Sequence, residues 1–237
     1  MRYQAALHPV FGDESTVGNV PTSRAQHELE ALHLEIRACT RCVDAGSIPR
    51  AFPIVAGRAS DRVMIIGQAP GAVELTTGLP FSGRAGAELR RWLARAGIDQ
   101  THLPYRTSMT KCFPGKALGP RGAGDRKPSP GEIASCAPWL ARELAIVRPK
   151  IVLLVGQLAI ERFIGKAPLA SVVGTRRTDG TGPASRVLIP LPHPSGASRW
   201  LNQPANRALL DRALRILRRE YKTLDFAASA GKISSST

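Results

Sequence analysis

Four cysteines carry the most definite chemistry in this 237-residue sequence. Cys39 and Cys42 form a Cys-x-x-Cys hook, while Cys112 and Cys136 stand alone further along the chain. A thioredoxin-like redox pair opens a helix after a strand, whereas this hook closes a helical pattern. Structural zinc takes four thiolates, more often from two hooks. A [4Fe–4S] cluster also takes four thiolates and tolerates scattered ligands. The spacing leaves zinc and iron–sulfur open. A second feature is His193, set between Pro192 and Pro194 and followed by Ser195. Prolines on both sides fix the direction of the ring, which suits a catalytic donor and equally a structural histidine. A third is the loop Gly67-Gln68-Ala69-Pro70-Gly71, with Glu74 the nearest carboxylate.

These residues need a frame to bring them together. Val63-Met64-Ile65-Ile66, closed by Gly67, reads as a buried parallel strand. Further strands are predicted at 105–110, at 151–155 with exit at Gly156, and at 187–191 with exit into the His193 turn. Helical periodicity covers 24–38 behind an N-cap at Ser23, 83–97, a segment starting at Pro130, 158–164 and 203–221. Strands alternating with helices predict an α/β protein: three α/β/α layers around a central four-stranded parallel sheet. Ligands of such sheets bind at the carboxyl ends of the strands. The unusual segments after Gly67, around Ser108 and at His193 all fall there. One domain is expected over 23–222, between a loose arm at 1–22 and a flexible tail at 223–237.

Lys and Arg number 33 against 18 Asp and Glu, a formal charge of +15 that favours a polyanionic partner. Hydrophobic residues at 43% supply a sizeable core, and charged residues at 22% exclude a disordered chain. Four cysteines are too few for a disulfide scaffold of this length. No apolar run reaches the ~18–20 residues of a membrane span, and Met1–Val10 lacks the pattern of a signal peptide. The expectation is a soluble, intracellular, basic α/β protein with no membrane partner.

Taken together, the motifs resemble the uracil-DNA glycosylase superfamily, in its iron–sulfur branches. The resemblance rests on Cys39-x-x-Cys42; on the Gly67–Gly71 loop with Gly78-Leu79-Pro80-Phe81-Ser82-Gly83; on Ser108-Met109-Thr110-Lys111-Cys112 with Pro128-Ser129-Pro130-x-Glu132-x-x-x-Cys136; and on His193-Pro194-Ser195. It implies a uracil-DNA glycosylase-like fold and hydrolysis of the N-glycosidic bond of uracil in DNA, with the nucleotide flipped into a pocket. It implies a structural [4Fe–4S] cluster on Cys39, Cys42, Cys112 and Cys136. The backbone of Gly67, Gln68 and Ala69 would meet the base and place the attacking water. Phe81, otherwise a plain core residue, would stack on the base. His193 would stabilise the departing uracil anion, and Glu74 would orient water unless it is a solvated loop residue.

Some positions depart from the family pattern. Gln68 stands where the nearest iron–sulfur relatives commonly carry Glu, and Ala69 lacks the Asp of the most active branch. Ser108 replaces an Asn whose amide reads uracil O4 and N3 together, so hypoxanthine and xanthine stay open as substrates. The basic loop 113–127 contains no His for a covalent link to DNA, so hydrolytic turnover is expected. Lys111, Lys116, Arg121, Arg126, Lys127, Ser195 and Arg199 are the expected DNA contacts. The resemblance implies that the segment 196–201 enters the minor groove as a wedge, while Trp200 and Leu201 read equally as core. Two other readings remain: a non-catalytic damaged-base or single-strand DNA binding protein, and an iron–sulfur redox protein without a base pocket.

Overall fold

The computed structural model describes residues 23–117, 124–182, 185–195 and 199–233, with side chains described through residue 224. Its frame is one five-stranded sheet in the order β2-β1-β3-β5-β4. The strands are β1 (Val63–Gly67), β2 (Tyr105–Ser108), β3 (Ile151–Val155), β4 (Arg177–Asp179) and β5 (Arg186–Leu191). Four of them are parallel, as predicted. The fifth, β4, is an antiparallel edge strand on β5 that was not predicted. It is three residues long and mostly exposed, so it carries no apolar alternation to betray it.

Along β1 and β3 the side chains alternate between two helical layers. Met64, Ile66, Val152 and Leu154 face the first core with α1 (Arg24–Arg37), α5 (Pro130–Val147) and α6 (Gln157–Ile164). Val63, Ile65, Leu153 and Val155 face the second core with α4 (Arg84–Arg95) and α8 (Pro204–Ile233). The three-layer expectation therefore holds. Three one-turn helices, α2 (Arg41–Asp44), α3 (Glu74–Thr77) and α7 (Leu169–Val172), fall below the length at which periodicity can be read. The last helix runs past residue 222, where a flexible tail was expected. Ala227, Ala228 and Ala230 favour helix there, with no proline to stop it.

Ser23 caps α1 by accepting from the Gln26 N–H. Ser129 and Glu132 form a complete capping box on α5. From β1 the chain passes through α4 to β2 on one side, and from β2 through α5 to β3 on the other. The strand order therefore reverses between β1 and β3, which opens a crevice at their carboxyl ends.

Candidate active site

Each of the four parallel strands delivers one element of the site at its carboxyl end. Gly67 and Ser108 end β1 and β2 and face one another in register. Gly156 follows β3, and His193 lies two residues beyond β5. Past the register pair, the Met109 N–H donates to Gly67 O and the Thr110 N–H to Gln68 O. The glycine loop is thus tied to the end of β2.

Glu74 ties two loops of the site together. It is buried, and its Oε2 accepts from the Gly71 N–H at 3.0 Å. Its Oε1 accepts from the N–H groups of Ser82 and Gly83 at 3.0 and 3.1 Å. One carboxylate therefore clamps the Gly67–Gly71 loop to the Phe81 segment. Glu74 is thus not a solvated loop residue: it is buried and both oxygens are engaged by backbone. Phe81 adopts φ +55, and its ring lies over the Cα of Gly67, so that a Cβ there would sit 2.7 Å from Cζ. The ring packs against the second core yet stays partly open, the arrangement a stacking platform requires. Gly86, in the first turn of α4, leaves room for the Phe81 carbonyl.

The His193 ring is fixed through Ser195. Nδ1 lies 3.2 Å from the Ser195 backbone N and 2.9 Å from its Oγ. A backbone N–H can only donate, so Nδ1 presents its lone pair and the proton of the neutral ring resides on Nε2. Burial lowers the pKa of His193 below the ordinary 6.5 and keeps the ring neutral. Gly156, at φ +86, brings its Cα within contact of the ring; a Cβ there would lie 3.3 Å from Cδ2. Ser195 was expected to cap the following segment or to contact a phosphate. Its hydroxyl and its N–H instead orient the histidine.

The four cysteines come from three places that the fold draws together. Cys39 follows α1, Cys42 lies on α2, Cys112 follows β2 and Cys136 lies on α5. The Arg41 guanidinium sits 4.6 Å over the Trp139 ring and donates to Ser135 O, which fastens the hook to α5. Burial pushes the Cys112 thiol up to about 12; a Phe52 backbone hydrogen bond opposes this, and nearby Cys136, Cys42 and Cys39 add to it. Cys42, Cys112 and Cys136 line a small gap with Thr110 and Glu132. The Lys111 backbone N–H donates to Cys136 Sγ at 3.3 Å, and the buried Thr110 hydroxyl has no partner. Donors facing sulfur across a gap suit an anionic sulfur-rich body. Among the described residues, no group of three or more His, Cys, Asp or Glu is gathered tightly enough to hold a single metal ion. The donor set is four cysteines, a set that zinc and a [4Fe–4S] cluster both take.

The model of the uracil DNA glycosylase superfamily matches residues 55–218, which include the whole pocket. The chain belongs to the uracil-DNA glycosylase superfamily. A type-4 uracil-DNA glycosylase of Thermotoga maritima is 29% identical over 185 residues, 77% of this chain and 90% of the relative. One from Pyrobaculum aerophilum is 31% identical over 137 residues, 58% of this chain and 65% of the relative. A type-5 uracil-DNA glycosylase of Thermus thermophilus is 32% identical over 117 residues, 44% of this chain and 49% of the relative.

Within this superfamily frame, the expected DNA contacts divide. Lys111 is not one of them. Its side chain is 1% exposed and its ammonium meets three acceptors: Glu143 Oε2 at 2.7 Å, Thr107 Oγ1 at 2.6 Å and Ser108 O at 2.8 Å. Glu143 also accepts from Thr107 and from the Tyr105 hydroxyl, which in turn pairs with His33. Sequence reasoning missed this network. The acidic face of α5 and the polar positions of β2 were its only trace. Arg126 is engaged by both oxygens of Glu132 and by Ser47 O, and holds the Glu132 carboxyl below the usual range. Lys116 pairs with Asp125 on the surface. Lys127 and Arg199 are exposed, and Arg121 lies outside the described residues. In the expected wedge, Trp200 and Leu201 pack against the second core, and 196–198 lie outside the described residues. No helix among the described residues is long and apolar enough to cross a membrane.

Proposed function

We propose that this protein is a monofunctional DNA glycosylase that removes uracil from DNA by hydrolysis, through a single domain spanning 23–222. One observation carries the reading: the Ser195 N–H on Nδ1 leaves His193 with a donor Nε2–H. A flipped uracil would stack on the Phe81 ring over Gly67. As the C1′–N1 bond breaks, its electron pair passes to the base and spreads onto O2, where the Nε2–H stabilises it. Water supplies oxygen to C1′, and its proton leaves to solvent. Gln68 has no basic group, so its part is to hold a water or a carbonyl. A fixed donor of this kind contributes about 10²–10³ in rate. The buried amine of Lys111 is fully engaged by its three acceptors, which supports hydrolysis over Schiff-base chemistry.

Cys39, Cys42, Cys112 and Cys136 would hold a [4Fe–4S] cluster. When bound, it supplies a cross-link between α2, the end of β2 and α5 rather than an electron. Of the expected contacts, Lys127 and Arg199 are exposed and could meet phosphates, and a cytoplasmic monomer acting on nucleoid DNA accords with the charge of +15. The test is single-turnover release of uracil, hypoxanthine or xanthine from labelled oligonucleotides by the wild type and His193→Ala. A glycosylase loses about 100-fold in rate through that change and keeps its affinity for abasic DNA. A non-catalytic binder releases no base and binds as before. Cys136→Ser should abolish visible absorption and bound iron, and retention of both would remove the cluster.

A further inference from the structure

Large apolar side chains exposed to solvent are few among the described residues, and most of them lie together. Val73 is 52% exposed, Leu75 39% and Leu79 52%; the other, Leu34, stands apart on α1. Single exposed apolar residues are ordinary, but a cluster marks a contact surface. This one spans α3 and the turn after it, between the Gly67–Gly71 loop and the Phe81 segment. It is also mounted firmly. Glu74 ties the segment at both ends, through Gly71 and through Ser82 and Gly83. The Thr77 and Ser82 hydroxyls meet at 2.6 Å, and Gly78 makes the turn at φ +66. The apolar tips therefore cannot fold inward onto a core.

We propose that Val73, Leu75 and Leu79 form an apolar lip that packs against the base stack of duplex DNA where the target nucleotide has left it. The inference rests on the base-excision reading of the pocket. Leu79 precedes Phe81 by two residues, a reach of at most ~7 Å. That upper limit is about two base steps of ~3.4 Å along a strand, so Leu79 stands within two steps of a base stacked on Phe81. An apolar side chain at that distance meets the faces of the neighbouring bases, which flipping exposes. Proteins that part base steps do so with such residues. The expected wedge after His193 offers less, because Trp200 and Leu201 are already packed against the second core.

The experiment uses the full chain with Val73→Ser, Leu75→Ser and Leu79→Ser combined, and Leu79→Ser alone as a milder second variant. Duplexes carry uracil beside 2-aminopurine, whose fluorescence rises when it unstacks. Rates of base release are measured on duplex and on single-stranded DNA. The lip predicts that the fluorescence rise falls at least threefold and duplex turnover at least tenfold, with single-strand turnover unchanged within twofold. Unchanged fluorescence and rates overturn it, as does an equal loss on both substrates, which would make the segment part of the base pocket. A wild-type dimer that the triple variant converts to monomer also overturns it in favour of a second copy as occupant. Should the wild type unstack 2-aminopurine through the lip yet release no base, the lip stands and the glycosylase reading falls.

Discussion

Replacing Gly67 by alanine adds one methyl group to the floor of the pocket. The backbone accepts it, because Gly67 ends a regular strand and its φ is not positive. The new Cβ would lie 2.7 Å from Phe81 Cζ and 3.3 Å from Cε1. Carbon atoms rest at about 3.5–4.0 Å, so the ring tip must retreat by about 1 Å. It is the free end of a side chain facing a partly open space, so the ring gives way and the sheet does not. Overpacking of this kind costs about 1–3 kcal/mol, offset by the roughly 0.5–1 kcal/mol that alanine gains over glycine in a strand. A misplacement of 1 Å at reacting groups costs about 100-fold in rate, or about 2.7 kcal/mol of barrier. Single-turnover uracil release should therefore fall about 100-fold. Affinity for abasic duplex DNA, which places no base on the ring, should stay within threefold. The double variant with Phe81→Leu should be no slower than Phe81→Leu alone, since both changes act through one ring. A Gly67→Ala enzyme within threefold of wild type, or strictly additive losses, would refute the placement of Phe81 as the stacking platform.

Gly86→Ala should behave in the opposite way to an ordinary helix substitution: its Cβ would overlap the Phe81 carbonyl, and urea unfolding should show a loss of about 3 kcal/mol or more instead of the ~1 kcal/mol gain of alanine in a helix. Lys111→Met leaves Glu143 buried without its cation and should cost about 3–5 kcal/mol, and Lys111→Met with Glu143→Leu should recover most of that; a single variant as stable as wild type would overturn the buried pair. Burial holds the His193 pKa below 6.5; below that pH the unfolded chain binds a proton that the folded chain refuses, so His193 makes stability rise with pH in that window. His193→Asn should remove that part of the slope, and the acid limb of uracil release by wild type should fall below pH 6.5 rather than at it.

The frame was legible because its signals are long and redundant. β1 and β3 are continuous apolar runs ending at glycine, and such runs have few alternatives to a buried parallel strand. β4 was not legible, because Arg177-Thr178-Asp179 owes its strand conformation to pairing with β5 and not to its own pattern. The motif residues of the pocket were found, yet the partners of several were not. Lys111 looks like a DNA contact in a basic sequence, and only the three-dimensional approach of α5 supplies the carboxylate that buries it. Ser195 looks like a phosphate ligand, and only the tight turn after Pro194 returns its N–H to the histidine ring. Sequence conveys residue type and order, whereas these roles depend on which atom of a second element arrives at hydrogen-bond distance.

The same distinction changes how the chemistry is apportioned. From the sequence, Glu74 stands as a water-orienting acid and Glu132 as a motif residue of unassigned purpose. In the fold, each is occupied with structure. Glu74 accepts three backbone N–H groups, and Glu132 caps α5 while binding Arg126. Glu143, which the sequence did not single out, neutralises Lys111. Positions 68 and 69 are Gln and Ala, so the glycine loop brings no carboxylate of its own. Two carboxylates do reach it, since a Cβ at Gly71 would lie 2.9 Å from an oxygen of both Glu74 and Asp125, and in the proposed reaction Glu74 shapes the site while the barrier is set elsewhere. That leaves the departing base. In the proposed reaction its charge would be met by the Nε2–H of His193, whose burial favours the neutral ring. A weak nucleophile is sufficient when the bond to the leaving group is largely broken before attack, because the barrier then follows the stability of the anion being released. The carboxylates shape the pocket so that one neutral imidazole can stabilise that anion.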